Sequence, residues 1–101
     1  MKIDSEIVSG FVRLHILHHA EKEPIYGLWI MEELSRHGYR LGAGTLYPIL
    51  HGLERRGYLR SKLVRMGKTS RRMYRITPVG RRVLSDGKAK AKELISELFE
   101  E

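Results

Sequence analysis

Side chains able to recognise a polyanion are gathered in one stretch of this chain. In the run from Gly44 to Leu59, Leu46, Ile49, Leu50 and Leu53 recur at i, i+3, i+4 and i+7, the spacing of a helix with one apolar stripe. The other side of that helix carries Thr45, Tyr47, Pro48, His51 and Arg55. Hydroxyl, imidazole and guanidinium groups so placed suit base edges and phosphate oxygens. Residues 61–76 follow with six cations and no acid: Lys62, Arg65, Lys68, Arg71, Arg72 and Arg75. Arg65, Lys68, Arg71 and Arg72 surround a turn at Gly67, and they are the candidate contacts to backbone phosphates or a minor groove. The net charge is +7 and its excess lies on this segment. A basic face kept only for solubility would be served equally well by a diffuse excess.

Other chemistries find less support. His15 with His18 or His19 has the i, i+3 or i+4 spacing that clasps zinc on a helix. No cysteine exists and no third ligand is evident nearby, so no metal and no cofactor are expected. Helix surface, dimer contact or pocket wall is the reading of these rings, and His37 falls in the last turn of its helix. No nucleophile stands beside a base, and there is no phosphate-binding glycine loop or paired-carboxylate motif, so the chain is not expected to be an enzyme. The absence of cysteine excludes disulfides. No apolar run approaches the ~20 residues of a membrane span. Met1–Glu6 already contains Asp4 and Glu6, unlike a signal peptide. A soluble cytoplasmic protein without a membrane partner is the expectation.

The elements that must position these groups follow from periodicity. Ser5 opens a first helix that ends near Glu21-Lys22-Glu23-Pro24. Ile7, Phe11, Leu14 and His18 form one stripe, widened by Val8, Val12, Ile16 and Leu17, more apolar surface than one helix of a small domain buries alone. A second helix runs from Leu28 to about His37, with Gly38 as its C′ residue. The third helix should begin at Gly44 or Thr45, because Pro48 is tolerable only in a first turn; Gly57 ends it. Tyr58–Val64 and Arg71–Thr77 alternate as two strands of a hairpin, Leu59, Leu63, Tyr74 and Ile76 facing inward. Thr77-Pro78 caps a last helix, loosened at Gly87, whose seam is Leu84, Ala91, Leu94, Ile95 and Leu98 with Phe99 beside it. Its basic residues precede its acidic ones, so an antiparallel copy would pair the blocks. The fold class expected is mainly α with a small β-hairpin. Residues 1–77 would form a winged helix-turn-helix and residues 78–101 a C-terminal dimerisation helix. Phe11, Leu14, His18, Leu84, Ala91, Leu94, Ile95, Leu98 and Phe99 are the candidate dimer contacts.

Three stretches resemble the PadR-like transcriptional regulators, in the small-sized branch of that family. Tyr26-Gly27 opens helix two as in the family; Gly44 to Glu54 follows its recognition-helix pattern; Gly67-Lys68 with Arg71 to Thr77 follows its wing. The chain departs from the family at Gly42-Ala43, where Ser-Pro is common, and at Leu28, where an aromatic is common. The resemblance adds Tyr26 and Gly44 to the DNA-facing set. It implies a homodimer on double-stranded operator DNA, acting as a repressor and responsive to a small-molecule effector. Trp29 is expected in the core or an interface, with effector contact a lesser reading. The alternative function is a winged-helix module that binds protein or RNA without an operator.

Overall fold

The structure, a computed structural model, describes residues 5–100. Met1–Asp4, part of the Met1–Glu6 stretch expected to be unlike a signal peptide, and the terminal acid Glu101 lie outside them. Four helices and one hairpin follow in the order α1 (Ser5–Lys22), α2 (Gly27–Arg36), α3 (Ala43–Arg55), β1 (Leu59–Met66), β2 (Thr69–Ile76) and α4 (Pro78–Leu98). Among the described residues no helix is long and apolar enough to cross a membrane.

One core holds α1, α2, α3 and the base of the hairpin together. Val12, Ile16, Leu17 and Ala20 enter it from α1, Ile30 and Leu34 from α2, and Leu46, Ile49, Leu50 and Leu53 from α3. Leu59, Tyr74 and Ile76 close it from the strands, and Leu84 from α4. The stripe of α3 is thus the inward face that its spacing predicts. α1 is apolar on two sides. One is spent on this core, while Ile7 and Phe11 stay exposed on the other.

The ends of α2 and α3 are built alike. Gly38 and Gly57 have positive φ, 89° and 80°, a region open to glycine at little cost. At each end the next residue, Tyr39 or Tyr58, donates its N–H back to Leu34 or Leu53. These two closed ends set the turn between α2 and α3 and the exit from α3 into the hairpin.

The start of α3 corrects the expectation. Gly42 is the N-cap and Ala43 the first helical residue, so Pro48 lies in the second turn. It has no N–H for the Gly44 carbonyl, yet the helix runs unbroken to Arg55. Gly44 is exposed, so water can serve the carbonyl that loses its partner.

β1 and β2 pair antiparallel, from Leu59 opposite Ile76 to Met66 opposite Thr69. The turn is therefore the two residues Gly67-Lys68, with Gly67 at φ 64°. Leu63, expected inward, is 60% exposed. Beyond Ser61 the hairpin extends past the body, and the strand's inner face has no core left to cover. At its base, Ile25 bonds Tyr74 in both directions, at 2.9 and 2.7 Å, and so docks the wing on the segment that opens α2.

Thr77 caps α4 by accepting the Gly80 N–H at 3.0 Å, with Pro78 just inside. Gly87 does not loosen the helix. A Cβ there would stand 2.7 Å from Leu14 Cδ2, so this glycine lets α4 approach α1. Leu84, expected at a partner contact, is buried in the chain's own core and floors a groove walled by Phe11, Leu14, His15, His18, Lys88 and Ala91.

Candidate nucleic-acid interface

The inward stripe of α3 leaves its other side to solvent. Gly44, Thr45, Pro48, His51 and Arg55 are exposed there, and Tyr47 is 38% exposed, with its ring centroid 6.3 Å from that of His51. Tyr47 has a second role that the sequence did not reveal. Its ring lies over Gly27, where a methyl group would collide with the phenol. The glycine of Tyr26-Gly27 is therefore the seat on which the α3 tyrosine rests.

Tyr26, Gly27, Leu28, Tyr47, Ser70, Arg71 and Arg72 line one cleft between α2, α3 and the wing. The Arg71 guanidinium sits 4.2 Å from the Tyr26 ring centroid, a cation–π contact that ties the wing to the head of α2. The N-cap of α2 is Tyr26, and no side chain caps the helix there. Tyr26, Gly27 and Leu28 line the same cleft as Arg71 and Arg72, so the positive end of the helix dipole lies beside it.

Lys68 and Arg65 stand apart from this cleft, at the wing tip. Lys68 is exposed in the turn, and Arg65 Nε donates to the Gly67 carbonyl at 3.1 Å. Thr69 Oγ1 donates to the Met66 carbonyl at 3.1 Å, closing the same turn.

Glu54 is the positioning residue that sequence reasoning passed over. Its Oε2 accepts the Ser61 N–H at 2.9 Å and the Ser61 hydroxyl at 2.7 Å. Arg72 donates to that hydroxyl oxygen at 3.1 Å. One carboxylate on α3 thus holds the first strand of the wing and, through serine, a wing arginine. Glu54 is the only acid between residues 41 and 76, and that isolation is the signal that could have found it. Beneath it, burial first and the Glu54 charge second push the Tyr74 phenol up, against Arg72, so this tyrosine stays neutral in the core.

A third histidine has also been brought to the first two. His37, at the C-cap of α2, reaches His15 and His19 across the helix pair, although no third ligand was evident from spacing. Trp29 is half-buried with its ring edge toward His19.

Known proteins share this architecture throughout. A family model described as the transcriptional regulator PadR-like family matches residues 16–86. A transcriptional regulator of Mycobacterium tuberculosis is 49% identical over 94 residues, covering 93% of this chain and 88% of that protein. Among solved structures, a PadR family transcriptional regulator from Eggerthella lenta is 34% identical with a TM-score of 0.80, covering 94% of this chain and 87% of that one. A PadR-like transcription factor from Bacteroides fragilis is 28% identical with a TM-score of 0.82, covering 93% and 92%. With a winged helix-turn-helix in place and the family pattern running through its core, this chain belongs to the PadR-like family of transcriptional regulators.

Proposed function

We propose that the chain is a sequence-specific repressor that binds double-stranded operator DNA as a homodimer. The observation that carries this reading is the single surface shared by the exposed side of α3, the uncapped head of α2 and the arginines of the wing. On that surface Thr45 and His51 read base edges in a major groove. Tyr47, Tyr26, Arg71 and Arg72 hold phosphates beside them, and Lys68 with Arg65 reach the neighbouring backbone. Gly44 and Pro48 shape the approach, and Arg55 adds charge at the end of α3. Pairing of the subunits uses the exposed side of α1 and the outer half of α4. The groove floored by Leu84 is the place for an apolar effector once a partner closes it. The test is duplex affinity measured across a salt series. Lys68→Ala with Arg71→Ala should weaken binding to every duplex about equally and lower the salt slope by about one unit for each phosphate no longer neutralised. An unchanged slope in the double variant rejects the wing as the element that grips DNA.

A further inference from the structure

Away from the DNA-facing surface, α1 and α2 turn two matched pairs of side chains toward each other. His15 and His19 are one helical turn apart on α1. Glu33 and His37 are one turn apart at the end of α2. The candidate ligand atoms of His15, His19 and His37 all lie within 4.8 Å of one another. Glu33 Oε2 is 3.1 Å from His37 Nε2 and 3.7 Å from His19 Nε2. Ligands around a tetrahedral zinc ion, with bonds of about 2.0–2.1 Å, stand roughly 3.3 Å from each other. The carboxylate is therefore already near that separation from two of the imidazoles, and the three rings need to draw in by roughly 1–2 Å at most. His37 is exposed, and its ring nitrogen already meets the Glu33 carboxylate. The His15 and His37 rings face one another with centroids 4.9 Å apart, close for two groups that would repel if both were charged.

We propose that His15, His19 and His37, with the Glu33 carboxylate, form a binding site for a divalent transition-metal ion of the zinc class, which pins α1 to α2. Three imidazoles and one carboxylate are a nitrogen-rich, borderline-soft set that suits zinc or cobalt and not magnesium or calcium. Burial, and then the charges of neighbouring histidines, hold His15 and His19 below the ordinary imidazole value, against the pull of Glu33. Burial pushes the Glu33 carboxyl up, but the hydrogen bond from His37 and the positive groups around it, Arg36 among them, bring it below the usual carboxylate value. Pairs of i, i+4 side chains on facing helices are a common way for helical proteins to hold a metal. No sequence spacing announces this site, because His37 arrives from another helix. The pin also bears on the rest of the protein. His15 lines the groove between α1 and α4, so an ion that draws its ring toward α2 acts on the face proposed to meet a partner.

The untagged full-length protein, freed of metal by chelator, is titrated with Zn²⁺ and with Co²⁺. Trp29 is the only tryptophan, and its ring centroid is 5.5 Å from that of His19, so its fluorescence reads the site directly. One ion per chain should bind with a change in Trp29 emission, and Co²⁺ should develop the strong visible absorption of a tetrahedral centre. His15→Ala and His37→Ala should lose more than about 100-fold in affinity, and Glu33→Gln about 10–100-fold. His51→Ala, on the exposed side of α3 and outside the cluster, should titrate like the unaltered protein. His37 is exposed, so His37→Ala should keep the helical circular dichroism of the parent, which separates loss of a ligand from loss of fold. Equal affinities in the parent and in His37→Ala, or no response of Trp29 to either ion, would overturn the proposal.

Discussion

Three exposed side chains of α3 are seated differently, and substitution should tell their proposed roles apart. His51 and Thr45 stand clear of the body, whereas the Tyr47 ring is seated on Gly27. His51→Ala or Thr45→Ala should cost about 1–3 kcal/mol on the selected operator and far less on random duplex, because only base-edge contacts discriminate. Tyr47→Phe should lower both together, since a phosphate contact carries no sequence information. Parallel titrations of operator and random duplex decide the matter; equal losses for His51→Ala would move specificity to the wing or to DNA shape. Gly27→Ala probes the seat itself. The new methyl collides with the far end of a flexible side chain, so α2 should keep its melting temperature while the Tyr47 ring is turned aside. Its duplex affinity should then fall as it does in Tyr47→Ala. An unchanged affinity would mean that the ring's position does not matter to DNA.

Among the elements, what could be read in advance was whatever a local period or a local breaker encodes. The stripe of α3 and the glycines after α2 and α3 are of that kind, as is the Thr77-Pro78 cap. So are the cations of the wing and the exposed side of α3, which together are most of the candidate interface. Contacts that depend on where one element ends relative to another were not readable. Leu63 alternates correctly but lies on a part of the strand that has left the core. Pro48 sits in a second turn, four residues after an exposed Gly44. Gly87 looked like a weakness in α4 and is instead its crossing point with Leu14. The two glycines of α4 should differ on substitution. Gly80 is buried, and a Cβ there would strike the Tyr58 carbonyl, which is backbone and cannot turn away. Gly80→Ala should destabilise by roughly 1–3 kcal/mol. Gly87→Ala meets only the tip of Leu14 and should cost less, since helix propensity favours alanine by up to about 1 kcal/mol. Denaturant melts of the two variants check the order.

At the scale of the whole molecule, the chain carries more apolar surface than one copy covers. Leu94, Ile95, Leu98 and Phe99 are 48–78% exposed at the end of α4, and Phe11 is 45% exposed on α1. Truncation after Lys90 removes the first four. Each such side chain is worth about 1.5–3 kcal/mol when buried, so the truncated chain should sediment as a monomer or fail to fold. A full-length chain that stays monomeric and folded at micromolar concentration would defeat the proposed dimer. The joint that launches α4 sets a further constraint. Thr77 gives its hydroxyl to the Gly57 carbonyl and its N–H to that of Tyr58, and Gly80 is pressed against the same Tyr58 carbonyl. The arm proposed to reach for a partner is therefore bolted to the residues that leave α3, the helix proposed to face DNA. In a two-fold pair the distance and rotation between the two reading helices become properties of the protein, and the operator must match them. One base pair added between half-sites turns one of them by about 35° around the duplex axis. A dimer of the proposed kind, without a hinge at that joint, would not follow, and Thr77 and Gly80, far from any base, would then help to dictate the spacing of the palindrome.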